Sequence, residues 1–224
     1  MTDYDCYGRV GDRKLSIFME PKITPSSTAS ARLEALTDAT FAIIMTLLVL
    51  ELRIPETESH TELIHGLQGL LPSVLSFIIS FIVLGVYWTA HHTQFRYITR
   101  VDHKLVWFNI VYLLVLSFVP FSAALLGKHH TEAIAIQMYA LNLLIATLVH
   151  FFMWRHATKS NRLTDPWVDP HLVRFGSQVS YYSLFGYLAA AIAAVWSVQV
   201  GLLLLVLIPI PFVLGLFYKI LFTD

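Results

Sequence analysis

Residues 32–52, RLEALTDATFAIIMTLLVLEL, decide how the rest of the chain is interpreted. The stretch is apolar enough to enter a membrane, yet its leading end carries Arg32, Glu34 and Asp38. Ionisable groups at or inside a membrane are costly, and they usually have a function there. The segment therefore predicts a membrane helix that does more than sit in lipid.

The second half of this segment carries a narrow aliphatic stripe. At about 100° per residue, Ile43, Leu47 and Leu50 fall within a stripe roughly 60° wide, and Asp38 points almost directly away from it. One face can thus meet symmetry mates while Asp38 reaches into its own subunit, where it needs a partner because an unpaired buried carboxylate is expensive. Since any membrane helix carries such stripes for packing, the periodicity alone does not assign a pore.

The composition agrees with a membrane protein. Of the 224 residues, 56% are hydrophobic and 13% are charged, whereas soluble domains carry roughly 25% charged residues. The formal net charge is zero, so no basic surface suggests a nucleic-acid partner. Cys6 is the single cysteine, which excludes an internal disulfide and a cysteine-cluster metal site. We therefore expect an all-α, polytopic membrane protein.

Six segments are long and apolar enough, or nearly so, to cross a hydrocarbon core about 30 Å thick. We predict these six membrane helices at 33–54, 68–91, 104–127, 132–154, 178–198 and 200–222. Ser30 is expected to cap the first helix, and Pro209 and Pro211 to kink the sixth. Residues 1–30 lack the apolar core of a signal peptide and are predicted to be a cytoplasmic tail, with 31–224 as the membrane domain.

The distribution of lysine and arginine predicts the orientation. With the N-terminus placed in the cytoplasm, 13 of the 15 basic residues fall on the inner side, and only Arg53 and Lys128 fall outside. Basic residues concentrate in cytoplasmic loops. The sequence therefore predicts a multi-pass protein of the cell membrane with both termini in the cytoplasm.

Candidate partners for Asp38 lie at the same predicted membrane side. Trp88 and His91 stand near the end of the second predicted helix, and Asn109 near the start of the third. Each also has a simpler interpretation, since tryptophan anchors helices at membrane interfaces and histidine suits the C-terminus of a helix. The chain has no H-E-x-x-H motif, no ligand-type histidine and carboxylate spacing, and no convincing pair of carboxylates. We therefore expect no metal site, no cofactor and no enzyme activity.

Three motifs together resemble a known family. The segment RLEALTD at 32–38 is similar to the R-x-x-x-F-S-D signature of the potassium channels homologous to transmembrane protein 175, with Leu36 in place of Phe and Thr37 in place of Ser. The following residues, ATFAIIMTLLVLE at 39–51, are similar to the prokaryotic members. The remaining motifs, W-x-x-H-H and Asn with a later Pro-Phe, stand here as Trp88, His91, His92, Asn109, Pro120 and Phe121.

The resemblance, which covers roughly residues 32–125, implies a potassium-selective channel that works without a cofactor. It implies a homotetramer whose first helices line the pore, because one such helix cannot enclose it. The partners implied are potassium ions, membrane lipid and further copies of the chain. The site residues implied are a hydrophobic constriction of Ile43, Leu47 and Leu50, a selectivity residue, Thr46, and a structural network of Arg32, Thr37, Asp38, Trp88, His91 and Asn109.

Two alternatives remain open at this stage. Ten histidines and Asp38 could serve a proton-conducting channel or a proton-coupled transporter, although most of the histidines fall in predicted loops or at helix ends. No file of titratable groups crosses the predicted membrane region. A structural scaffold without conduction is the other alternative, and a flux assay in liposomes separates the three.

Overall fold

The architecture is all-helical in the computed structural model, which describes residues 25–55, 59–159, 162–165 and 168–215. A 3₁₀ turn, Leu48–Glu51, follows the first helix. The α-helices, in chain order, are α1 Pro25–Leu47, α2 His60–Gly69, α3 Leu71–Phe95, α4 His103–Ser117, α5 Val119–Lys128, α6 Ala133–Thr158, α7 Pro170–Trp196, α8 Val198–Leu207 and α9 Ile210–Val213.

Five helical segments of the described chain have the length and apolar character to cross a membrane. They are Ala29–Glu51, Leu71–Phe95, His103–Lys128, Ala133–Thr158 and Pro170–Trp196. The sixth predicted segment appears as the shorter apolar stretch Val198–Val213. Its helix stops at Leu207, just before Pro209 and Pro211, and its predicted end at 222 lies outside the described residues. The count of six spans therefore stays a prediction.

The first helix differs from its predicted course at both ends. It begins at Pro25, so Ser30 lies inside the helix instead of capping it, and the Ser30 hydroxyl donates to the Ile98 carbonyl at 3.0 Å. The predicted α-helix over 33–54 is wrong beyond Leu47, because the 3₁₀ turn replaces its last turn and the backbone is extended at Leu52. Leu48, which is 2% exposed, anchors this tighter turn in the core.

The third predicted membrane helix is divided into α4 and α5 at Phe118. Pro120 follows directly, and proline removes a backbone donor from a helix. Asn142 of α6 repairs the break, with its amide orientation assigned from its neighbours. Its nitrogen donates to the Val115 carbonyl at 2.9 Å, and its oxygen accepts from the Val119 amide at 3.2 Å. Neighbouring helices commonly tolerate proline in a membrane helix in this way.

The core lies around α6, which packs against α4, α5, α7 and α8. Serines allow α3 to approach this core closely: Ser76 donates to the Ala123 carbonyl of α5 at 2.7 Å, and the Ser80 hydroxyl lies 2.9 Å from that of Tyr139 on α6. Gly127 of α5 faces the α3 backbone so closely that an added Cβ would lie 2.8 Å from a Cα atom. These contacts hold α3 firmly against α5 and α6.

The connections at the predicted inner end are tied to each other. The Ile98 and Thr164 backbones form an antiparallel bridge, and the amides of Thr99 and Arg100 donate to the Leu163 carbonyl at 2.9 and 3.1 Å. The α3–α4 loop is thereby fixed to the segment between α6 and α7. Because Ser30 of α1 also donates to the Ile98 carbonyl, α1, the α3–α4 loop and the α6–α7 segment meet at this end.

Candidate functional site

The first helix has two distinct faces within a single chain. Its buried face consists of residues spaced four and three apart, all at most 2% exposed: Thr37, Phe41, Ile44 and Leu48. The predicted constriction residues lie on the other side, where Ile43 is 60%, Leu47 42% and Leu50 70% exposed. This helix packs against α3, α4 and α5 through the buried face. An aliphatic stripe is therefore left without a partner in the described part of the chain.

Two residues on α1, one turn apart, hold two residues on α3, also one turn apart. The Trp88 indole N–H donates to Asp38 Oδ1 at 2.8 Å. His92 Nδ1 lies 2.9 Å from Glu34 Oε1, and because an ionised carboxylate can only accept, Nδ1 carries the proton. The Trp88 and His92 rings stack on each other, with centroids 5.5 Å apart and planes 15° apart. We call these four residues the α1–α3 clamp.

A second, fully buried cluster joins α1 to α4 and α3. Asn109 Nδ2 donates to Thr37 Oγ1 at 2.9 Å, and Thr37 donates onward to the Leu33 carbonyl at 3.0 Å. Asn109 Oδ1 lies 3.0 Å from His91 Nε2, which must then be the donor. All three residues, Thr37, His91 and Asn109, are 0% exposed. We call these three residues the threonine–asparagine–histidine cluster.

Two further predicted site residues stand apart from these contacts. Arg32 is exposed on α1 and, among the described residues, joins neither the α1–α3 clamp nor the buried cluster. Thr46 is exposed next to the aliphatic stripe, and its hydroxyl donates to the Ile43 carbonyl of its own helix at 2.8 Å. Because that proton is committed to the backbone, the lone pairs of Thr46 Oγ1 remain free to accept or to coordinate a cation.

Sequence reasoning missed a histidine on α6. His150 is 5% exposed, and its ring centroid lies 5.2 Å from that of Tyr112 and 6.3 Å from that of His91. A signal for it was present, because Leu143, Ala146 and His150 recur at helical spacing on the buried face of α6. The histidine was overlooked because it has no motif of its own.

The described chain also contains a contact between a carboxylate and a histidine, which joins the loop before α4 to the last turn of α6. Asp102 caps α4 by accepting from the Leu105 amide at 2.8 Å, and His156 Nε2 lies 2.9 Å from its Oδ2 atom. Burial alone would raise the pKa of Asp102, but the Leu105 N–H, His156 and the positive charge of Arg162 together lower that pKa below its usual range. This pair fixes the start of α4 against the end of α6.

No group of three or more histidine, cysteine or carboxylate side chains that could hold a metal ion is found among the residues in 25–55, 59–159, 162–165 and 168–215. The helix pairs that meet at the α1–α3 clamp and the buried cluster offer hydrogen bonds and aromatic stacking.

Comparison with known proteins gives a consistent result. A family model described as "Endosomal/lysosomal potassium channel TMEM175" matches residues 32–120. A Streptomyces collinus protein named as a potassium channel is 35% identical over 149 residues, which make up 65% of this chain and 72% of that protein. A Gallus gallus protein named as the endosomal/lysosomal proton channel TMEM175 is 28% identical over 212 residues, which make up 86% of this chain and 42% of that protein.

A solved structure is also similar. The crystal structure of a lysosomal potassium-selective channel TMEM175 homologue from Chamaesiphon minutus superposes with a TM-score of 0.74 at 30% identity. The superposition covers 84% of this chain and 97% of that chain. The site residues between Arg32 and Asn109 all lie within the range that the family model matches.

Proposed function

The chain belongs to the TMEM175 family of ion channels, and we propose that it is a potassium channel in which four copies enclose one pore. It is a multi-pass membrane protein and not an enzyme. The potassium assignment follows the family description and the name of the Streptomyces relative. The proposed partners are potassium ions, membrane lipid and further copies of the chain.

The two-faced first helix is the observation that carries the proposal. Its buried face and the α1–α3 clamp fix it to its own subunit. The opposite face presents Ile43, Leu47 and Leu50 to whatever lies beside the chain. Four such faces around an axis would form stacked aliphatic rings, with the rest of each subunit outside them. The tetramer and the pore-lining role of α1 are part of this proposal.

The physical mechanism rests on hydration. A narrow ring of Ile43, Leu47 and Leu50 side chains excludes water, and such hydrophobic constrictions gate by dewetting. Widening the ring admits a partly hydrated cation. The free lone pairs of Thr46 would then provide oxygen atoms beside the constriction. We propose that these oxygens favour potassium over sodium, because potassium holds its water less strongly.

The α1–α3 clamp and the buried cluster act on the pore indirectly. They set the tilt and rotation of α1, and therefore the diameter of the rings. Asp38, Thr37, Trp88, His91 and Asn109 are positioning residues in this scheme. The resemblance places Arg32 in the same network, bonded to polar residues of the second and third membrane helices, and this role stays a proposal because, among the described residues, Arg32 joins neither the α1–α3 clamp nor the buried cluster.

We further propose six membrane spans, a cytoplasmic N-terminal tail over residues 1–30 and a channel domain over 31–224. The strong bias of basic residues toward one side supports both termini in the cytoplasm and residence in the cell membrane.

Cation flux from liposomes tests the proposal. Liposomes that contain the protein and are loaded with potassium should release potassium faster than protein-free liposomes do. When the same liposomes are loaded with sodium instead, they should release sodium more slowly than potassium. Leu47→Asn and Ile43→Asn should raise the leak, because a polar ring stays wet. Leu188→Asn on α7 is the matched control. The exposed fraction of Leu188, 46%, is similar to the 42% of Leu47, but Leu188 belongs to a different helix. Unchanged flux in both α1 variants would refute the constriction.

Proton permeation is the second candidate, favoured by the name of the Gallus gallus relative. The same liposomes, loaded with a pH-sensitive dye, measure it directly. Reversal potentials that follow the proton gradient and ignore the potassium gradient would favour this candidate over potassium conduction.

A further inference from the structure

A partly enclosed cavity of about 610 Å³ lies between α3 and α7, away from the exposed stripe of α1. It is lined by α3 residues from Ile82 to Gln94, by Tyr97 just after that helix, by α7 residues from Leu172 to Tyr187, and by side chains of α6. Pro209, which follows α8, also lines it. The volume falls within the range of about 300–1,000 Å³ that small-molecule sites occupy.

Two residues that line this cavity each carry a buried polar atom without a hydrogen-bond partner among the described residues. His150 Nε2 and Gln94 Oε1 are both inaccessible, and neither bonds to any other residue that the structure describes. Their residues are 5% and 8% exposed, and both line the cavity. Leaving such an atom unsatisfied costs about 1–3 kcal/mol. An occupant that supplies a hydrogen bond to each atom would remove that cost, and it reaches them when the Gln94 amide and the His150 ring turn toward the cavity, because neither atom is open to the cavity as it stands.

The remaining lining excludes several occupants. It is rich in aromatic and aliphatic side chains, among them Trp154 and Val179, and no lysine, arginine, aspartate or glutamate is among the described residues that line it. A phosphate or carboxylate group would therefore lose its water without gaining a cation. A neutral hydroxyl suits the site better, because it can donate to Gln94 Oε1 and, with the matching histidine tautomer, to His150 Nε2 or accept from it.

We propose that this cavity binds an uncharged amphiphile with a hydroxyl headgroup, of the chemical type of a monoacylglycerol. The headgroup hydroxyls bond to His150 and Gln94, and the hydrocarbon chain lies along the α3 and α7 walls. Both walls belong to candidate membrane spans, so such a molecule can enter from the bilayer. The proposal concerns binding alone and does not depend on which ion the channel conducts.

Photolabelling of the intact, reconstituted protein tests it. The probe is a monoacylglycerol with a diazirine in its chain, in phosphatidylcholine liposomes, with unlabelled monoolein as competitor. Peptide mapping should find the label on 82–97 and 172–187. Val179→Trp fills the cavity and should lower labelling at least about tenfold, whereas Val195→Trp, on the exposed end of α7, should not.

A second pair of variants keeps the test informative if the tryptophan variant fails to fold. Gln94→Met removes the unpaired oxygen at similar volume and should weaken competition by monoolein about two- to tenfold, the value of one hydrogen bond. Gln178→Met, at an exposed position outside the cavity, is its control.

Four results would overturn the proposal. They are labelling spread evenly over lipid-exposed helices, labelling equal with a diazirine phosphatidylcholine, labelling only after deletion of residues 216–224, and labelling only in dissociated subunits. The third would identify the C-terminal segment as the occupant, and the fourth a second copy of the chain.

Discussion

The hydrogen bond between Thr37 and Asn109 is expected to stabilise the position of α1 by an amount that a double-mutant cycle can measure. Thr37→Val removes the acceptor of the Asn109 amide and the donor to the Leu33 carbonyl, in a residue with 0% exposure. Orphaning one buried donor costs about 1–3 kcal/mol. Asn109→Leu orphans the His91 Nε2–H and one Thr37 lone pair, so we expect about 2–4 kcal/mol.

The coupling between the two substitutions is the sharper quantity. Hydrogen bonds between membrane helices average about 0.6 kcal/mol in such cycles and reach about 1.7 kcal/mol. The Thr37–Asn109 pair is short and buried, so we expect a coupling in the upper half of this range. The assay is the free energy of unfolding in mixed micelles titrated with a denaturing detergent, for the two single variants and the double variant at one protein concentration.

Thr40→Val is the matched control, because the Thr40 hydroxyl makes the same bond to its own helix, at 2.8 Å to the Leu36 carbonyl, and bonds to no other helix that the structure describes. Its cost should stay within about 0.5 kcal/mol, as for other substitutions away from buried networks. If Thr37→Val costs no more than Thr40→Val, and if the cycle is additive within about 0.3 kcal/mol, the reasoning that this cluster holds α1 is refuted.

Three further predictions address the helix contacts. Asp38→Ala should lower the yield of assembled protein in size-exclusion chromatography more than Asp38→Asn, because the asparagine oxygen still accepts from the Trp88 indole; equal yields would contradict the α1–α3 clamp. The pKa of Asp102 is lowered in the folded protein, so its ionised form stabilises the fold above about pH 4 and this contribution is lost as the pH falls through the lowered pKa. Asp102→Asn should therefore reduce the free energy of unfolding at pH 7, with a smaller difference in acid, and a pH-independent difference would count against the ionic contact. Gly127→Ala should lower the melting temperature because its methyl group meets the α3 backbone, whereas Gly85→Ala meets nothing within 4 Å and should be neutral or stabilising; thermal unfolding in detergent compares the two.

Much of the membrane architecture could be predicted from the sequence because apolar length is a strong signal. The segments 68–91 and 132–154 were expected as helices, and α3 and α6 overlap them closely. The short helix α2, His60–Gly69, was not predicted, since it is too short and too polar for a membrane span. The sixth predicted segment, 200–222, stays a prediction, because its helix stops at Leu207 just before two prolines and its predicted end lies outside the described residues.

The candidate site could be predicted only in part. The position of Asp38 opposite the stripe follows from helical geometry, but its contact with Trp88 depends on how α3 packs beside α1. The bond between Glu34 and His92 could not be predicted, because it depends on the rotation of α3 that directs His91 to Asn109 and His92 to α1. Neither His150 nor Gln94 belongs to a motif, and their place beside one cavity depends on how α3, α6 and α7 pack together.

The 3₁₀ turn at the end of α1 changes the scale by which distances along this helix should be read. Through Leu47 each residue adds about 1.5 Å and 100°, whereas across Leu48–Glu51 each adds about 2.0 Å and 120°. A scan of single cysteines along α1 should therefore repeat its reactivity about every 3.6 residues at first and about every three residues near the end. Depths assigned by counting residues as α-helical would be short by about 2 Å at Glu51. Distances along this segment should therefore be calculated with the rise of a 3₁₀ helix from Leu48 onward.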